Sequence, residues 1–263
     1  MAAIHMMLSN TMESAHAYLA KLRLTRSGRS GAPARAVDAK APSHARDTLK
    51  SLYAVFRLAR KPDDVRFVFM IGDSQDNIAE AARVRGEIRD PFAGDEALER
   101  MWQERYHPER YDMEELLRLP EHTLGGAYAR HMTRHGLRPD FYDDVAPRHK
   151  LHFLRLRLRQ THDIWHILTG FDTGELGEVG LQAFYFAQVT NGQSVLIGAG
   201  AMLKSIVRAR FGDVERFVEV FCDGYARGRR ARSLLPVKWE EFWEVPFEAL
   251  RARYAIEPGA PLS

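Results

Sequence analysis

The chain has 263 residues and 30.1 kDa, enough for one large domain or two small ones with a real core, and 45% of its residues are hydrophobic. Its net charge of +3 conceals an asymmetry: residues 1–50 alone carry +5, leaving −2 for the remainder. The single cysteine, Cys222, excludes an internal disulfide and a cysteine-built zinc site, and the longest apolar run, Val195–Leu203, is far short of the ~20 residues of a membrane span.

Residues 1–45 read as a flexible basic arm, because Thr25 to His44 is rich in Arg, Ala, Ser, Gly and Pro. The arm is Arg-rich and acid-poor like a transit peptide, although the same bias is what a GC-rich bacterial gene gives. Residues 46–263 read as one all-α domain. Leu49, Leu52, Tyr53 and Phe56 recur at i, i+3, i+4, i+7, which predicts an amphipathic helix ended by Lys61-Pro62. Val65–Ile71 is a short apolar run that periodicity alone cannot assign; helix is favoured, with a second helix over Ser74–Arg89. Asp95 and Asp112 are expected N-caps of two short helices. Thr123–His135 follows as a helix despite Gly125-Gly126, a pair best explained by close packing.

Phe153–Arg159 alternates like a strand, but Leu and Arg are helix formers and Leu151, Leu154, Leu158, His162 and Trp165 keep helical spacing. Arg155 and Arg159 share a face that can pair with acids or a phosphate, a solvated face being the commoner explanation. Further helices are expected from about Thr173, over Gln193–Ala209 with its small residues Gly198 to Ala201, from Gly212-Asp213 with the stripe Val214, Phe217, Val218 and Phe221 in the core, and over Trp239–Tyr254. No repeat, phosphate-binding glycine loop or nucleic-acid motif is present, so no nucleic-acid partner is expected.

The chemistry concentrates in Gln160–Val189. His162 and His166, four apart, lie on one helix face; Asp163 leans onto the same face, and Gly170 offers a helix stop. Asp172 with Glu175 reads as a capping box that opens the next helix and brings Glu178 back beside the first. Two imidazoles and two carboxylates are a divalent-metal ligand set. The spacing is like the zincin His-Glu-x-x-His, but Asp163 stands where the base would be and is better read as a ligand or as the support of one. His107, His122, His131, His135, His149 and His152 are read as surface or packing residues.

His162-Asp163-x-x-His166, eleven residues, then Glu178 resembles the signature of the coenzyme Q (ubiquinone) biosynthesis protein 4 family. LPEHTLGGAYARHM (Leu119–Met132) and YARGRRARSLLPVKWEEFWEVPFEALRARYAI (Tyr225–Ile256) resemble two further family blocks, so that the likeness runs from about Asp47 to the end. The resemblance implies metal ligation by His162, Asp163, His166 and Glu178, zinc being the ion it favours, and catalytic roles for Asp163 and Glu178. It implies oxidative decarboxylation at ring carbon 1 of a polyprenylated benzoic-acid precursor. Phe184, Tyr185, Gly198 and Ala201 are the candidates for lining the lipid substrate, with ordinary core packing as their alternative.

The alternative function is a lipid-binding scaffold that organises other quinone-biosynthesis proteins around a structural metal. A weaker third reading is a His-Asp phosphohydrolase, against which Glu178 stands too close to the histidines. Expected partners are the prenylated precursor, other quinone-biosynthesis proteins and a membrane surface, with homodimerisation left open. The expected location is the cytoplasmic side of a bacterial inner membrane, or alternatively the matrix side of the mitochondrial one.

Overall fold

The computed structural model describes residues 44–60, 65–108, 111–137, 146–189 and 192–259. Within them are eleven α-helices: α1 His44–Arg60, α2 Val65–Val84, α3 Glu96–Gln103, α4 Met113–Arg118, α5 Leu124–His135, α6 Lys150–Gln160, α7 His162–Thr169, α8 Glu175–Gln188, α9 Gly192–Val207, α10 Phe211–Arg230 and α11 Phe247–Tyr254. A 3₁₀ turn covers Trp239–Phe242. The only β-type pairing among the described residues is an isolated bridge between Thr123 and Pro246, so the architecture is all-α. The expected arm lies outside the described residues, except that its last two positions already belong to α1.

Local chemistry accounts for most element ends. The carboxylate of Asp95 accepts from the Leu98 N–H, and that of Asp112 from the Glu114 N–H. The Thr123 hydroxyl accepts from the Gly126 N–H at 3.2 Å. Gly136 and Gly170 end α5 and α7 in the left-handed region, with φ of 62° and 74°. A Cβ on Gly126 would lie 2.1 Å from the Pro120 carbonyl oxygen, which explains the glycine pair as close packing. Val65–Ile71 and Ser74 onward form one helix rather than two, and it ends at Val84, short of Arg89.

The expected Trp239–Tyr254 helix is broken. Val245 and Trp243 give their carbonyls to the Leu124 and Gly125 N–H groups, and the His122 carbonyl accepts from the Phe247 N–H. Pro246 cannot donate in a helix interior, so the chain uses this extended stretch to tie α11 to the start of α5.

One core, running from Phe92 to Ile256, packs α3 to α8 and α11 around Trp165, Phe184, Leu124 and Trp239, with Val220 of α10 against it. The alternating arginines of α6 are partnered. Arg155 pairs with Asp76 and Asp73 of α2, and the buried Arg157 makes a two-pronged pair with Glu240 at 3.0 and 3.1 Å. The guanidinium of Arg159 lies over Phe69, 4.7 Å from the ring centre.

The stripe of α1 faces the other way from expectation. Leu49, Leu52, Tyr53 and Phe56 are 49–66% exposed, while Asp47, Ser51 and Ala54 are buried. The Ser51 hydroxyl accepts from the Gln75 amide at 2.9 Å, and only a small apolar cluster of Ala54, Phe67 and Ile71 lies between α1 and α2. On α10 Phe217 is buried as expected, but Val218 is 45% exposed.

The most extensive helix pair is α8 with α10. It approaches so closely because glycines face each other: a Cβ on Gly224 would lie 2.2 Å from the Gly180 carbonyl oxygen, and one on Gly228 2.8 Å from that of Phe184. Gly224→Ala must therefore push two backbones apart. We expect a stability loss of about 3 kcal/mol, the upper end of ordinary overpacking, measured by urea unfolding. A loss below about 1 kcal/mol would mean that the two helices separate freely.

Candidate metal centre

Gly170 lets the chain reverse between α7 and α8, and the reversal sets Glu178 against the two histidines. The Glu178 Oε1 lies 3.2 Å from His166 Nε2 and 3.5 Å from His162 Nε2, and the two Nε2 atoms are 3.1 Å apart. Four atoms held tetrahedrally at ~2.0–2.1 Å from a zinc ion stand about 3.4 Å from one another, so these separations fit such an ion. His166 is buried; the His162 and Glu178 side chains are 26% and 29% exposed, so the cluster opens on one side.

Each imidazole is held from behind. The Phe171 carbonyl lies 2.9 Å from His166 Nδ1 and accepts its proton, leaving Nε2 with a lone pair toward Glu178. His162 Nδ1 lies 3.1 Å from the Tyr185 hydroxyl. These are the orienting contacts that metal-binding histidines usually have.

Three of the four expected ligands come together. Asp163 is not in the trio: its Oδ1 lies 3.3 Å from His131 Nε2, on the side toward α5. Burial opposes the Asp163 charge, but the His131 bond and the nearby His162 hold its carboxyl below the usual range. His131 also stacks beside His166, with ring centres 6.2 Å apart, and touches His135 at 4.7 Å. It is thus a packing histidine, as read from the sequence, and it packs beside the trio. The signal for its place was the i, i+4 pair His131/His135, which begins inside the Leu119–Met132 block. The expected capping box is replaced by a tighter turn, in which Asp172 accepts from the Gly174 N–H at 2.7 Å and Glu175 pairs with Lys204 at 2.8 Å.

Of the four lining candidates, Tyr185 reaches the site through its hydroxyl, and Phe184 packs edge-on against Trp165. Gly198 meets Phe221 of α10, and Ala201 is half-buried on α9. A small cavity of about 10 Å³ is lined by Leu154, Arg157, Leu158, Thr161, Trp165, Leu234, Leu235, Val237 and Trp239. An open cleft of about 400 Å³ is lined by Phe92, Gly94, Asp95, Glu96, Glu99, Arg100 and Gln103. Neither touches the histidine–glutamate trio or the four lining candidates.

Fold and site thus define an all-α protein with a candidate divalent-metal centre built from two helices. The family model described as "Coenzyme Q (ubiquinone) biosynthesis protein Coq4" matches residues 43–260. The chain belongs to this family, which has a role in ubiquinone biosynthesis. It is 31% identical over 148 residues to the mitochondrial ubiquinone biosynthesis protein coq4 of Botryotinia fuckeliana, covering 55% of this chain and 51% of that protein. It is 30% identical over 181 residues to the mitochondrial COQ4 homolog of Aedes aegypti, covering 66% and 62%. The chain thus spans about half to three-fifths of the length of these relatives. A crystal structure of a protein assigned to ubiquinone biosynthesis in Nostoc punctiforme superposes with a TM-score of 0.67 at 28% identity, covering 80% of this chain and 98% of that one.

Burial disfavours charge on His162, but Glu178 beside it prevails, with help from Asp163, and pushes the imidazole from 6.5 up to about 9. Burial raises Glu178, but the neighbouring His162 outweighs it and holds the carboxyl well below its ordinary range. A group whose value is raised on folding stabilises the fold below its unfolded value and loses that effect as pH rises through the folded one. In metal-free protein the His162 contribution is therefore complete below about pH 6.5 and gone above about pH 9; that of Glu178 is complete above about pH 4.5 and fails only in stronger acid. The difference in urea midpoint between wild type and His162→Gln, measured with a chelator present, should shrink from pH 6.5 to 9.5. A difference that stays level across that range would contradict the pairing.

Proposed function

We propose that His162, His166 and Glu178 bind one divalent metal ion, zinc being the ion the family resemblance favours. The centre then serves the oxidative decarboxylation of ring carbon 1 of a polyprenylated benzoic-acid precursor in ubiquinone biosynthesis, with an external oxidant such as dioxygen taking the electrons, since zinc itself is not redox-active. The observation that carries the reading is the trio itself: two imidazole nitrogens and one carboxylate oxygen whose mutual distances suit one small ion, on a chain of this family. A bound divalent cation would supply Lewis-acid attraction for a ring carboxylate or phenol oxygen.

The chain's own groups do the rest. The Phe171 carbonyl keeps the proton of His166 on Nδ1, and the Tyr185 hydroxyl holds His162 Nδ1. Glu178 brings the negative charge. Asp163, ionised and 3.3 Å from His131 Nε2, can accept a proton from that ring, which is the catalytic part we give it. Three protein ligands leave a coordination position open. That favours catalysis over a structural metal inside a lipid-binding scaffold.

The reading extends to a membrane surface, where so apolar a precursor resides, and to neighbouring quinone-biosynthesis proteins as partners. No described helix is long and apolar enough to cross a bilayer. The outward stripe of α1 is suited to lie on one. Arg57 sits over Tyr53 and Phe67, and Arg60 over Phe56 at 4.1 Å, while Arg46 and Lys50 flank the same helix. The only acid of α1, Asp47, is buried, so the face complements an anionic lipid surface.

Glu178→Gln keeps the size of the side chain and removes its charge. We expect at least tenfold less bound metal in the purified variant. In a quinone-producing host we expect a carboxylated prenyl-benzoate to accumulate while the purified variant stays folded, its melting temperature lowered by the lost pairing with His162. Normal quinone from a metal-poor variant would end the enzyme reading; a chelator that lowers the wild-type melting temperature by many degrees would favour the scaffold.

Leu52→Glu with Phe56→Glu should abolish co-sedimentation with vesicles containing phosphatidylserine or cardiolipin. The helical signal should be unaffected, since both side chains are about half exposed. Equal binding by the double variant would move the membrane contact away from α1.

A further inference from the structure

The proposed centre depends on a carbonyl that no helix holds. Phe171 follows the left-handed Gly170, outside both α7 and α8, and its carbonyl fixes which nitrogen His166 turns toward Glu178. The Phe171 ring is what anchors it, being 3% exposed. It lies against Gly180, where a Cβ would come within 2.4 Å of the ring. The Arg227 guanidinium lies over the same ring, 4.2 Å from its centre.

Arg227 is itself buried, and its partners come from three parts of the chain. Nε donates to the Glu257 carbonyl at 2.8 Å, Nη1 to Asp223 at 3.2 Å, and Nη2 to the Thr169 carbonyl at the end of α7. The same Thr169 oxygen accepts from the Gly259 N–H at 3.0 Å, so the C-terminal residues 257–259 form a strap over the Gly170 turn. A planar, fixed fork that stacks on a ring while donating in three directions is a role lysine cannot fill.

We infer that Arg227, with the strap it holds, is a positioning residue for the metal centre: it clamps Phe171 and through the Phe171 carbonyl sets the orientation and tautomer of His166. This rests on the metal-binding reading above for its consequence, but not for its geometry. A merely structural Arg227 would staple α10 to α7 and leave the imidazole unchanged. Loss of an orienting contact behind a metal-binding histidine costs roughly 10–100-fold in metal affinity.

The experiment uses the full chain with Arg227→Met, Arg227→Lys and, as control, Arg230→Met. The control removes an exposed pair with Glu257 that does not touch Phe171. Two quantities are read: ¹⁵N shifts of the His166 ring in metal-free protein, and the Co²⁺ dissociation constant by competition. Arg227→Met and Arg227→Lys should both replace the single Nδ1–H form of His166 by a mixture and weaken Co²⁺ binding about tenfold or more. Arg230→Met should change neither. A folded Arg227 variant that keeps the single Nδ1–H form overturns the inference, as does one whose Co²⁺ constant stays within twofold of wild type. Should Arg227→Met fail to fold, Arg227→Lys decides on the same readings. Wild type that binds no Co²⁺ would end the metal reading, yet the ring shifts would still test the clamp.

Discussion

The hydrogen bond from His166 Nδ1 to the Phe171 carbonyl is the constraint on which the centre depends. The Phe171 carbonyl lies beyond the end of α7, outside the run of carbonyls that the N–H groups of that helix engage. Gly170 supplies that end, since only a residue at ease with φ of 74° reverses the chain immediately after Thr169. The glycine thus does two things with one dihedral angle: it frees the Phe171 carbonyl for His166 and aims the chain so that α8 returns past the histidines.

A second constraint keeps α8 where the turn sends it. Gly177 lies against the Asp172 carbonyl, Gly180 against the Phe171 ring, and Gly224 against Gly180, each at a separation that forbids a Cβ. Glu178 stands between the first two, so the small residues are the reason a carboxylate carried by one helix reaches two imidazoles carried by another. The cost of glycine in a helix interior, about 1 kcal/mol each relative to alanine, is offset by the long α8–α10 contact and by the ring of Phe171.

The sequence shows what is local. The i, i+4 histidines, the stop at Gly170, the caps at Asp95 and Asp112, and the helical reading of Phe153–Arg159 all rest on spacing or on one residue's backbone preference. They reappear in the structure. What spacing cannot convey is what a face looks at. The stripe of α1 has the period of a core helix, yet it points outward, because α2 offers polar partners to Asp47 and Ser51 and little apolar surface. Asp163 has the right spacing to join His162 and His166, yet it turns to His131 on α5, thirty-two positions earlier. Phe171, Arg227 and the strap at 257–259 enter the site through contacts between segments distant in sequence. The break at Val245-Pro246 becomes visible only once α5 is there to accept it.

Charge adds a tie across the α7–α8 turn. The Glu178 Oε1 lies 3.2 and 3.5 Å from the two imidazole nitrogens, and it holds His162 toward its charged form. A structural zinc site typically has no such tie without its metal, and its domain unfolds when the metal is removed. Under the metal reading proposed above, an ion would compete with the His162 proton, so that binding would weaken in acid. Glycine packing and the Arg227 strap hold the helices through contacts that leave out the partly exposed edge of His162 and Glu178.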